Sequence, residues 1–137
     1  MSLSLPVAAV LLYSIAGAAL LVYIPFLVVA YGRLQVGYDS RAPRAVFEKL
    51  PPYAQRATWA HQNSFESFML FAAAALMAYV TQQDSIWVAG AAIAYLVARL
   101  LFSLFYILDI PLGRSLMFGL GTLCIATLMG TSLTSLH

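Results

Sequence analysis

No charged residue precedes Arg33 in this chain, and none follows Arg114. Leu5–Tyr31 therefore offers 27 uncharged residues and Ser115–Leu136 offers 22. About 20 helical residues cross a ~30 Å hydrocarbon core, so both stretches are long enough to span it. Between them, Tyr53–Val80 and Ser85–Leu108 are nearly as apolar, interrupted only by Arg56, Glu66 and Arg99. Barrel strands alternate in polarity and last about ten residues, so these continuous runs predict helices. Only 9% of the 137 residues are charged and 63% are hydrophobic, against about 25% charged in a soluble domain. So little charge cannot coat a globule, which excludes a soluble enzyme, a disordered linker and a disulfide-stapled secreted module. The predicted fold is an all-α membrane protein, a four-transmembrane-helix antiparallel bundle forming one domain over residues 1–137.

The connections carry the topology. The loop 33–52 holds Arg33, Arg41, Arg44 and Lys49. The turn Thr81–Asp84 has no basic residue, and Asp109–Arg114 has one. An excess of Lys and Arg stays in the cytosol, which predicts a cytosolic long loop and both termini on the non-cytoplasmic side. Pro51-Pro52 marks a helix restart, Ser85 an N-cap, and Pro25 a kink within the first span. The N-terminus lacks a basic leader segment, so the first span is expected to remain as a helix. Nothing in the charge pattern suits nucleic acid. No metal-ligand cluster is present, and His61 reads as a polar interfacial residue. Cys124 reads as a small buried hydrophobe.

An ionisable side chain at membrane depth costs about 2.5–3.5 kcal/mol on insertion scales, so it calls for a function. Glu66 and Arg99 lie at matching depths on antiparallel spans and are expected to pair. Arg56, Trp59, Asn63 and Glu66 share one helical face by their 3, 4, 3 spacing. Arg99, Phe102, Ser103 and Tyr106 make a comparable face on the third span. Arg114 and Ser115 open the fourth, where a helix N-terminus already favours anions. This predicts an inward-facing pocket for a polar, anionic ligand beside lipid. The bland alternatives are a structural Glu66–Arg99 pair, a snorkelling Arg114 and a solvated basic loop. Gly119, Thr122, Ala126 and Gly130 form a small-residue stripe that reads as close helix packing.

The run Arg56-Ala57-Thr58-Trp59-Ala60-His61-Gln62-Asn63-Ser64-Phe65-Glu66, with Phe68 and Phe71, resembles the second-helix signature of the MAPEG family, the membrane-associated proteins in eicosanoid and glutathione metabolism. The run Ala98–Tyr106, followed by Arg114-Ser115, resembles that family's third helix and the start of its fourth. The resemblance implies a homotrimer with glutathione as co-substrate, bound between adjacent subunits, and no metal. It implies that Arg33, Asn63, Glu66, Arg99, Tyr106 and Ser115 bind glutathione and that Arg114 is catalytic, activating the thiol. The chain departs from the family pattern at Trp59, where several members carry arginine, and at Phe102.

Two functions follow from the resemblance. One is a membrane glutathione transferase or peroxidase acting on lipophilic electrophiles or lipid hydroperoxides, which leans toward an enzyme. The other is a non-catalytic lipid-binding or adaptor member, for which Trp59 and Phe102 speak. A small multidrug transporter has similar length but needs an acidic residue in its first helix, and this chain has none there.

Overall fold

The computed structural model describes residues 5–137. Residues 1–4, on which the expectation of an uncleaved first span partly rests, lie outside it. Four helices are long and apolar enough to cross a membrane: α1 (Val7–Val36), α2 (Pro52–Val80), α3 (Ile86–Ile107) and α4 (Pro111–Thr134). A 3-10 helix, Pro43–Lys49, lies in the loop between α1 and α2. There is no strand among the described residues. Helices α2 and α3 each pack against all the other spans, so they form the central diagonal of the bundle.

Local chemistry explains the boundaries. The first span continues five residues past Tyr31, because a helix need not stop where the apolar run does. It ends at Gly37, whose φ of +70° suits a residue without a side chain. Ser85 caps α3 as expected, its hydroxyl accepting from the Trp87 N–H at 3.1 Å. Helix α4 starts four residues earlier than Ser115, with Pro111 at its first position. The Arg114 N–H accordingly donates to the Ile110 carbonyl at 3.0 Å and is not a free anion donor. What Arg114 can offer a ligand is therefore its side chain and not its backbone N–H.

The last four carbonyls of α3 all have partners. The Leu104 oxygen accepts from the Leu108 N–H, the Phe105 oxygen from Ile110 and the Tyr106 oxygen from Asp109. These bonds need Asp109 in the left-handed region, where its φ is +61°. The fourth, Ile107, accepts from Arg56 Nε at 3.1 Å and Nη2 at 2.9 Å. Arg56 therefore ties the start of α2 to the end of α3. Arg56→Ala is expected to lower the stability of the detergent-solubilised protein by about 1–2 kcal/mol. A melting curve followed by circular dichroism checks this, and an unchanged midpoint would show that water replaces the guanidinium at no cost.

The core sits in the half of the bundle away from the long loop. Phe71 and Tyr95 stack at its centre, ring centroids 3.9 Å apart, among Leu11, Val88 and Leu128, none of them accessible. Cys124 is buried in the same cluster, as expected of a small hydrophobe. Ser67 and the Tyr95 hydroxyl share a hydrogen bond of 2.8 Å, which satisfies both polar groups at the core's edge. Within one chain the small-residue stripe packs against no other helix. Gly119, Thr122, Ala126 and Gly130 face outward, and a Cβ at Gly119 or Gly130 would meet nothing. The inward glycines of α4 are Gly113, where a Cβ would stand 2.7 Å from the Phe105 ring, and Gly121, where one would stand 3.7 Å from Arg99 Cδ and from the Tyr95 ring.

Candidate functional site

Two polar clusters flank α2 in the half of the bundle nearest the long loop. The first lies between α2 and α3. Arg99 is only 3% exposed, and its Nη2 donates to Asn63 Oδ1 at 2.9 Å and to Ser64 Oγ at 3.1 Å. Its guanidinium carbon lies 4.0 Å from the Phe102 ring centroid. Its Nε is buried without a hydrogen-bond partner. The Ser64 and Ser103 hydroxyls lie 3.5 Å apart beside it.

The expected Glu66–Arg99 pair does not form. The depths were matched, but the angular positions were not. Ser64 points at α3, and two residues turn the helix by about 200°, so Glu66 points away. Asn63, closer in angle, takes the arginine instead. Glu66 is exposed on the opposite flank.

That flank holds the second cluster, a cavity of about 730 Å³ bounded by α1, the 3-10 helix and α2. Arg33 and Arg44 line one end and Glu66 the other, with Tyr23, Phe26, Phe47, Trp59 and Phe65 as aromatic walls. A Cβ on Gly32 would stand 2.5 Å from that of Ala54, which puts these two residues at one level. Glu66 is twelve residues beyond Ala54, so it stands about 18 Å of helix rise from the backbone beside Arg33. Both side chains reach into the space between. Arg33 Nε is buried and unpartnered, and its guanidinium lies 5.9 Å from the Phe26 ring centroid. Among the described residues there is no ion pair that would neutralise Arg33, Arg44 or Glu66. Two of the loop arginines, expected to be solvated, line this cavity.

His61 is more than an interfacial residue. Its Nδ1 lies 2.8 Å from the Val22 carbonyl, in the turn that Pro25 disturbs by lacking an N–H. The bond joins α1 to α2 at mid-cavity. Phe47 and the 3-10 helix, by contrast, were missed altogether. The signal was Val46, Phe47 and Leu50, apolar residues at helical spacing inside a charged loop.

Arg114, Tyr106 and Ser115 gather on the α3–α4 side. The Arg114 guanidinium carbon lies 4.6 Å from the Tyr106 ring centroid, and Ser115 is exposed beside it in the first turn of α4. Trp59 stands between the clusters. It lines the cavity, and its ring lies 5.7 Å from Phe47 and 6.4 Å from Tyr106. One chain therefore brings Arg33, Arg44 and Glu66 together, and separately Asn63 with Arg99 and Tyr106 with Arg114. Among the described residues no group of His, Cys, Asp and Glu could hold a metal ion.

No curated protein and no solved structure matches the chain. The model of the MAPEG family matches residues 10–134. With four span-length apolar helices and a match over nearly its whole length, the chain is an integral multi-pass membrane protein and belongs to the MAPEG family.

Proposed function

We propose that the chain is a membrane glutathione transferase or peroxidase that acts on lipophilic electrophiles or lipid hydroperoxides. The observation that carries this reading is the cavity with two guanidiniums at one end and a carboxylate at the other. Glutathione has one ammonium and two carboxylates on a tripeptide about 10 Å long when extended. Its ammonium suits Glu66 and a carboxylate suits Arg33, as charge-assisted hydrogen bonds. Asn63, Arg99, Tyr106 and Ser115 belong to the same site on this reading.

Within one chain, Trp59 stands between the cavity and Arg114. The homotrimer that the family resemblance implies resolves this separation. The α3–α4 flank of one subunit then faces the α1–α2 cavity of the next, and Arg114 meets the thiol across the interface. A guanidinium there holds the sulfur as thiolate, its proton passing to solvent. The thiolate electron pair forms the carbon–sulfur bond as the electrophile's leaving group departs with its own pair. The exposed aromatic residues at the cavity mouth let the second substrate enter from lipid. On this reading the long loop is cytosolic and the termini lie on the other side.

Conjugation of 1-chloro-2,4-dinitrobenzene by the purified protein tests the proposal. Glutathione-dependent turnover is expected; none, together with no glutathione binding, would sink it. Glu66→Gln separates a ligand role from a structural one. It is expected to weaken glutathione binding by about ten- to a hundredfold and to leave the melting temperature unchanged, because Glu66 holds nothing within the chain. A lowered melting temperature with unchanged affinity would reverse that assignment.

A second reading is a non-catalytic lipid-binding member, favoured by the aromatic Trp59 in the cavity wall and by Phe102, buried over Arg99. It predicts lipid retained through purification and no thiolate signal with glutathione.

A further inference from the structure

We propose that Arg44, on the 3-10 helix of the loop, binds the glycyl carboxylate of glutathione together with Arg33; this rests on the glutathione reading of the cavity.

The mount of Arg44 is fixed. Val46 and Leu50 are 7% and 5% exposed and pack on Ala54 of α2. Gln55 Nε2 donates to the Phe47 carbonyl at 3.2 Å, and the Phe47 ring rests on Trp59. A loop held by this small core presents Arg44 at a set place, so little ordering remains to be lost on binding. At the same end lies Arg33, with its buried Nε unpartnered. The only acidic residue lining the cavity is Glu66, at the other end. Two cations facing one space repel each other until an anion enters it. A single carboxylate has enough lone pairs to accept from both guanidiniums.

Polarity then decides which carboxylate. The ammonium of glutathione and its α-carboxylate sit on the same carbon. If Glu66 takes the ammonium, the α-carboxylate stays at the Glu66 end. The glycyl carboxylate is the group that reaches Arg33 and Arg44. Arg44 is thus a ligand residue and Phe47 a positioning residue behind it.

The test is calorimetric titration of the full chain in detergent with glutathione and with its glycyl ethyl ester, on wild type, Arg44→Gln and Arg44→Lys. Arg44 is exposed, so both variants are expected to fold with an unchanged melting temperature. Wild type should lose about tenfold or more in affinity on esterification of the ligand. Arg44→Gln should lose a similar factor for glutathione and little further for the ester, because the pair is already broken. Arg44→Lys should recover part of the loss. Wild-type affinity in Arg44→Gln, or losses that multiply between variant and ester, would overturn this inference and leave the glutathione reading standing. A wild type that binds no glutathione would overturn both.

Discussion

Replacing Arg114 with alanine is expected to lower glutathione-dependent turnover by about 10²–10³-fold, the loss typical of one electrostatic donor aimed at a developing charge. Glutathione affinity should change by only a small factor, because on the proposed reading Arg33, Arg44 and Glu66 hold the tripeptide's charged ends. The reason is positional. Arg114 stands in the first turn of α4, its guanidinium carbon 4.6 Å from the Tyr106 ring centroid, and its own N–H is spent on the Ile110 carbonyl. What it can offer a ligand is the side-chain cation. A thiol beside that cation ionises more readily, and only the thiolate attacks. Steady-state rates on wild type, Arg114→Ala and Arg114→Lys decide the matter. Lysine should restore part of the rate, having the charge without the fork geometry. Equal rates in all three would make Arg114 an anchor at the membrane edge and nothing more.

Gly32→Ala is expected to be the most damaging single methyl in the fold. The new Cβ would stand 2.5 Å from the Ala54 Cβ and 4.0 Å from its Cα. Neither atom sits on a flexible side chain, so α1 and α2 must move apart. Overpacking of this kind costs about 1–3 kcal/mol, partly offset by the better helix propensity of alanine. The movement also widens the cavity, since Arg33 is the next residue along α1. Both the melting temperature and glutathione affinity should therefore fall. Ala54→Gly in the same chain removes the colliding methyl and should restore both. Failure of this rescue would mean that the helices meet elsewhere.

Charge placement made the four spans legible in the sequence, because hydrocarbon excludes ions and each span had to be read between them. Helix ends were less legible. Arg33 ends the uncharged run, yet α1 runs on to Val36, since backbone hydrogen bonding continues in water until Gly37 breaks it. At α4 the proline that starts the helix, Pro111, was present and was outweighed by the charge at Arg114. Depth could be counted along the chain, but rotation about the helix axis could not. That is why Glu66 and Arg99 matched in level and still point to opposite flanks of α2. The stripe from Gly119 to Gly130 faces outward for the same cause: spacing defines a face, and packing decides where it points. Arg44 and Phe47 were hidden because a charged loop gives no reason to expect a small core of its own.

On the proposed function this chain binds glutathione and ionises its thiol. Titration of the purified wild-type protein with glutathione, followed by thiolate absorbance in the ultraviolet and repeated with Arg114→Ala, tests it most directly. A saturable thiolate signal in the wild type, lost in Arg114→Ala while calorimetry still detects binding, is the predicted result. Absence of both binding and thiolate in the wild type would contradict it.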